Sequence, residues 1–162
     1  PSPALPAEVR GGAGLSRREV ALLVLFLRLE VHGPSMEPAF PASRRLWASR
    51  FAYLFGAPQR GDVIVFRSLD DPARRDLKRI IGLPRETVVW QAGNFWVNGV
   101  ALEEPYARIA PSPPGDDERR TLHLGARDYV VAGDNRLYSR DSRRYGPVPR
   151  SAILGKVLLV LQ

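Results

Sequence analysis

Cysteine is absent from the 162 residues, which removes disulfides, thiolate nucleophiles and zinc–thiolate sites but leaves the redox compartment undecided. Histidine is nearly absent: His32 and His123 are the only two. With no HExxH run and no Asp-x-Asp loop, neither a metal nor another cofactor is expected. A bilayer-length apolar run is also missing. The apolar run Val20 to Leu27 spans roughly 12 Å at about 1.5 Å per residue, whereas a membrane span needs about 20 residues. Lysine is scarce in an unusual way: the chain has twenty-two arginines and two lysines, Lys78 and Lys156. An ammonium can give up its proton in a protein and a guanidinium cannot, so lysine retained amid arginine marks a place where deprotonation is wanted, with codon bias as the alternative.

What remains is an ordinary globular composition, 44% apolar and 25% charged, long enough for one domain with a real core. The net charge of +7 suits an anionic membrane surface or nucleic acid, and charge alone does not choose between them. Residues 1–16, rich in Pro, Gly and Ala, read as a flexible tail or as the cut edge of a longer chain. Ser16 and Glu19 form a capping box before Val20 to Leu27, so residues 17–30 are expected to be a short apolar, membrane-proximal helix. Arg17 and Arg18 lie on its inside-positive flank. From residue 61 the pattern turns to short β runs: Val63 to Phe66, Leu77 to Ile81, Thr87 to Trp90, Phe95 to Val97, Val100 to Leu102, Tyr129 to Ala132 and Ile153 to Leu161. Asn98-Gly99 is a strong two-residue hairpin signal, and Pro111 to Asp117 reads as a loop. The expected fold is mainly β: an antiparallel domain over 31–162 with a small inserted hairpin or cap region near 99–128.

Two residues stand out chemically. Ser35 lies in His32-Gly33-Pro34-Ser35-Met36-Glu37-Pro38, where Gly and Pro constrain the backbone and can present a side chain; a plain turn serine looks the same. A serine hydroxyl needs a base. His32 is too near in sequence to be an obvious one, which leaves Lys78, in a strand-like run whose apolar neighbours can desolvate it. Burial lowers a lysine pKa by as much as ~3–5 pH units, freeing a neutral amine, and cationic repulsion from Arg79 would help. A snorkelling surface lysine is the alternative.

Four blocks then occur in order: Gly33-Pro34-Ser35-Met36-Glu37-Pro38, Gly61-Asp62-Val63-Ile64-Val65-Phe66, Lys78-Arg79-Ile80-Ile81-Gly82-Leu83-Pro84, and Gly133-Asp134-Asn135-Arg136-Leu137-Tyr138-Ser139-Arg140-Asp141-Ser142-Arg143. From residue 31 to the C-terminus the chain resembles bacterial type I signal peptidases. The resemblance implies a signal-peptidase-type β fold and a membrane-associated serine endopeptidase with Ser35 as nucleophile and Lys78 as base. Ser139 would lie in hydrogen-bond reach of the lysine amine. Asp141 and Arg143 would be a supporting ion pair, with Asp134 and Arg136 shaping the same loop. Val31, Met36 and Leu77 would line shallow pockets for small residues at positions −3 and −1 of the substrate, or would simply be core. The implied partners are preprotein signal peptides and an anionic membrane surface, not nucleic acid, at the extracytoplasmic side of a bacterial cytoplasmic membrane. Nothing in the sequence speaks to oligomeric state.

Three departures accompany the resemblance. Gly33 stands where some relatives carry a hydroxyl, which leaves the oxyanion to backbone N–H, chiefly that of Ser35. Asp76 precedes the lysine pair where an aromatic is common; it is expected to face solvent, although strand alternation puts it on the Lys78 side. The apolar N-terminal run is short. Competing readings are a soluble self-cleaving repressor-type Ser-Lys protease, which would need a helix-turn-helix, and a non-enzymatic basic β module binding nucleic acid or lipid through Trp90, Phe95 and Trp96.

Overall fold

The computed structural model describes residues 25–71, 73–109 and 118–161. The tail and most of the expected N-terminal helix therefore lie outside the described residues, as does the whole loop expected over Pro111 to Asp117. Eleven strands follow in chain order: β1 Phe26–Glu30, β2 Arg45–Ser49, β3 Val63–Arg67, β4 Arg75–Gly82, β5 Thr87–Gln91, β6 Asn94–Val97, β7 Val100–Ala101, β8 Arg120–His123, β9 Asp128–Ala132, β10 Val148–Pro149 and β11 Ile153–Leu161. A short helix, α1, covers Ser142–Tyr145. The strands form two antiparallel sheets. The larger runs β1-β2-β11-β3-β4-β9-β10 and the smaller β7-β6-β5-β8.

The large sheet is buried on both faces around its centre, and the sequence says why. In β3 the unbroken run Val63-Ile64-Val65-Phe66 sends Ile64 and Phe66 to one cluster with Tyr129 and Val131, and Val65 to another with Leu27 and Leu46. Alternation with period two divides such a run between two cores. In β9, Val130 and Ala132 face a third cluster, where Val88, Phe95 and Val97 of the small sheet pack against them. Each fully buried Val, Ile or Phe contributes about 1.5–3 kcal/mol, so the third cluster fixes the small sheet against the large one while the other two fill the large sheet's own faces. The hairpin from β6 to β7 turns at Asn98 and Gly99, with φ of 50° and 84°. Both values are positive, which explains why Asn-Gly stands there.

Two expectations are corrected here. The helix expected over 17–30 does not reach Glu30: Phe26–Glu30 is β1, paired with β2 in register from Phe26↔Ser49 to Glu30↔Arg45. Leu27, Leu29 and Val31 alternate with Arg28 and Glu30, and that strand period outweighs the upstream capping box once β2 offers an edge. The cap region is also larger than expected, because the small sheet starts at Thr87 and includes β5 and β6 rather than beginning near 99.

Candidate active site

Lys78 sits in the middle of β4, opposite Ile64 of β3, and its side chain is only 5% exposed. Its Nζ donates 2.9 Å to Ser35 Oγ and 3.0 Å to the Leu77 carbonyl. Ser35 arrives from the loop between β1 and β2, which is closed by Val31 N–H to Arg44 O and Ser43 N–H to Val31 O, both 2.8 Å. Gly33 adopts φ +82° just before it, a conformation that favours glycine. A second tie comes from the loop after β9, where Asn135 N–H donates 3.1 Å to Ser35 O. Serine and lysine, 43 positions apart in sequence, are thus held by three segments.

Burial pushes the Lys78 amine below its ordinary pKa, desolvation being the largest cause. Asp76, Asp141 and Asp134 oppose it, and Arg74 assists. Cationic repulsion therefore comes from Arg74 and not, as expected, from Arg79. Arg79 instead forms a two-pronged pair with buried Asp134, 2.8 Å and 2.7 Å, and donates to Gly61 O at 2.9 Å. Asp76 departs from expectation as well: its side chain is 12% exposed and pairs with Arg74 Nε at 3.2 Å. The alternation that puts residue 76 on the face of residue 78 prevails. Lys156, the other lysine, is an ordinary ion-pair partner of Asp62 at 2.6 Å.

Asp141 is fully buried and caps α1. It accepts from Gly133 N–H at 2.9 Å and from Arg143 Nε and Nη2 at 2.8 Å and 2.9 Å. Burial alone would raise its pKa, but the Arg143 bonds and charge, with Ser139 and Gly133, hold it below the usual carboxylate range. Ser139 does not meet the expectation of a bond to Lys78. Its Oγ is buried without a geometrically sound partner, and the Lys78 bonds go to Ser35 and Leu77. Ser139 is nonetheless at the site, since a side chain built on Gly133 would collide with both Ser139 and the Ser35 carbonyl.

A cleft of about 510 Å³ opens over this pair. Val31, Met36 and Leu77 all line it, joined by Leu29, Leu46 and Val65, with Tyr138 and Arg140 at the rim. Met36 and Val31 are also buried, Val31 in the cluster with Leu46 and Val65, so lining and packing are one role. His32 lines the cleft from an exposed position, and His123 hydrogen-bonds Thr87 in the small sheet. Among the described residues no three His, Asp or Glu converge to hold a metal ion, and no helix is long and apolar enough to cross a membrane. Of the three aromatics considered for nucleic acid, Phe95 is core and Trp90 packs against the same cluster, while Trp96 is part-exposed on β6.

Sequence reasoning passed over Glu104 and Tyr106, which follow β7. Arg136 pairs with Glu104 at 2.5 Å and 2.8 Å, and Tyr106 donates 2.8 Å to the same carboxylate. An acidic pair, Glu103-Glu104, beside an aromatic in a strongly basic chain was the available signal.

Known proteins are similar to this chain in sequence and in fold. Signal peptidase I V of Bacillus subtilis is 33% identical over 143 residues, covering 82% of this chain and 84% of that protein. Signal peptidase I of Leptolyngbya laminosa is 36% identical over 132 residues, and the chain spans 63% of its length. A crystal structure of a signal peptidase I from Enterococcus faecalis superposes with a TM-score of 0.54 at 35% identity, covering 64% of this chain and 97% of that one. The family model described as signal peptidase, peptidase S26, matches residues 19–162, nearly all of what carries the fold and the cleft, and this chain belongs to that family.

Proposed function

We propose that the chain removes N-terminal signal peptides from exported preproteins by a Ser-Lys dyad, cutting after small residues at −3 and −1. The observation that carries this is the 2.9 Å approach of a desolvated Lys78 Nζ to Ser35 Oγ. A neutral amine takes the Ser35 proton as Oγ attacks the scissile carbonyl, and the resulting ammonium gives that proton to the departing amine of the mature protein. The signal peptide remains as an ester on Ser35. Water then attacks with Nζ again as base, and Ser35 leaves with its proton restored. The Ser35 N–H is the proposed oxyanion donor. Arg79, Asp134, Asp141 and Arg143 support the pair from behind, Ser139 shapes the space beside it, and Val31, Met36 and Leu77 floor the pockets.

Cleavage takes place at an anionic membrane surface, on the outer side of the cytoplasmic membrane. Support comes from the loop after β2, where Leu54 is 59% and Phe55 100% exposed. Arg50, which opens that loop, donates its backbone N–H to Leu25 O at 3.1 Å, so the loop starts beside the first of the described residues. Apolar side chains flanked by a cation suit a negatively charged interface. Incubating wild type, Ser35→Ala and Lys78→Arg with a preprotein in detergent, then sequencing the new N-terminus, tests the mechanism. Wild type should cut after a small residue and both variants should be inert. Cleavage by Lys78→Arg, which cannot supply a neutral amine, would exclude lysine as the base.

A further inference from the structure

The segment after β7 reaches across to the dyad from the small sheet. The side chains of Glu104 and Arg136 are 3% and 2% exposed, so their pair is sealed from water. Arg136 also donates to Gly93 O at 2.7 Å and to Gly133 O at 3.0 Å, and lies over the Phe95 ring at 4.8 Å. Tyr106 donates its hydroxyl to Glu104 and lays its ring against the Arg79 guanidinium at 4.1 Å. The backbone repeats the connection: Arg136 N–H donates to Arg108 O at 3.1 Å and Arg108 N–H to Asp134 O at 2.7 Å.

Two routes therefore lead from one carboxylate to the reacting atoms. Through Arg136, Glu104 holds Gly133 and the loop whose Asn135 N–H fixes the Ser35 carbonyl. Through Tyr106, it holds Arg79, which neutralises Asp134 one residue along from Lys78. We propose that Glu104 and Tyr106 are positioning residues of the Ser35–Lys78 pair, so that the small sheet serves as part of the catalytic frame rather than as an appendage. This rests on the dyad mechanism proposed above.

The charges facing Lys78 are Asp76, Asp141, Asp134 and Arg74. Of these, only Asp134 is balanced through the Tyr106 route. Loosening Arg79 leaves Asp134 less neutralised, which favours the ammonium and moves the Lys78 titration upward. A support that merely held the fold together would lower stability and leave that titration where it was.

The test uses Tyr106→Met, Tyr106→Phe and Glu104→Gln. Methionine fills the half-buried site with a flexible apolar chain and no π face, so it keeps the fold, whereas Glu104→Gln leaves Arg136 buried and underpaired and is the variant expected to unfold first. With only two lysines in the chain, 13C-lysine labelling gives two resonances, and Lys78→Arg identifies which is Lys78. In Tyr106→Met, kcat should fall about three- to thirtyfold, the range of a desolvated cation–π contact, with KM little changed. The Lys78 resonance should titrate at higher pH than in wild type, and Tyr106→Phe, which keeps the ring on Arg79 but loses the hydroxyl tie to Glu104, should recover only part of both losses. An unmoved Lys78 titration in folded Tyr106→Met overturns the proposal, whether kcat holds or falls with the folded fraction. Failure of wild type to cleave would refute the proposed function instead, and the titration would still judge the clamp.

Discussion

Gly133 has no side chain because two reacting segments meet where one would be. A Cβ built there lies 2.5 Å from Ser139 Cβ and closer still to Ser139 Oγ and the Ser35 carbonyl oxygen, whereas ordinary contact starts near 3.4 Å. The neighbours must give way by almost an ångström. They cannot do so independently, because Gly133 N–H is tied to buried Asp141 and Ser35 O to Asn135 N–H. Gly133→Ala should therefore cost about 1–3 kcal/mol of stability as an overpacking substitution. Its larger effect should be on rate, since a misplacement of about 1 Å at reacting groups costs on the order of a hundredfold. Wild type and variant are compared for kcat and KM on a signal-peptide substrate, with thermal melts on the same samples. The expected result is kcat lower by about two orders of magnitude in a protein still folded at the assay temperature. Cleavage within about threefold of wild type would mean that the nucleophile tolerates displacement, and positioning of this kind would not limit the reaction.

Asp76→Asn removes the carboxylate that opposes Lys78 deprotonation most, so neutral amine should persist to lower pH and the acid limb of kcat/KM should move down; an upward or absent shift counts against the lysine base. Asp141→Asn breaks the pair that fully buried Asp141 makes with mostly buried Arg143, at a cost of about 3 kcal/mol. Because the folded Asp141 pKa is depressed, that stability is present above the unfolded carboxylate value near ~3.9 and lost as pH falls through the folded one. Denaturant midpoints of wild type and variant should thus differ at pH 7 and converge in acid. Replacing Leu54 and Phe55 with Asp should reduce flotation with anionic vesicles at least tenfold, given about 1.5–3 kcal/mol for each large apolar side chain buried, while detergent-phase cleavage is retained; unchanged flotation would place the membrane contact elsewhere.

Much of the sheet was legible because its strands announce themselves locally. β3 and β11 are apolar runs, and the β6–β7 hairpin is fixed by Asn98-Gly99. β1 was not, since its first residues end the unbroken apolar run Val20 to Leu27 behind a capping box, which reads as a helix until β2 supplies the partner, and β2 itself, Arg-Leu-Trp-Ala-Ser, is short and edged by arginine. Ser35 and Lys78 stood out by residue chemistry but could be paired only through the resemblance, because nothing in a linear spacing of 43 residues brings two side chains together. Glu104 and Arg136, 32 residues apart, left no local trace of their pairing. What a residue bonds to across sheets is a property of the closed fold, and single-sequence periodicity carries none of it.

The charge arrangement around the dyad explains why its cations are of two kinds. A dry lysine amine beside Asp134 and Asp141, both fully buried, would ordinarily be held as an ammonium, since two desolvated carboxylates reward the positive form. Each carboxylate is instead occupied by an arginine fork, Arg79 on Asp134 and Arg143 on Asp141. A guanidinium stays charged across the whole working range and satisfies both oxygens at once. A lysine at 79 or 143 would offer a single point charge and, once desolvated, could itself release a proton. Two labile amines would then share the same carboxylates, and Lys78 would no longer be the group that gives up its proton first. On the proposed mechanism, the permanence of Arg79 and Arg143 is what allows the one amine touching Ser35 to be impermanently charged.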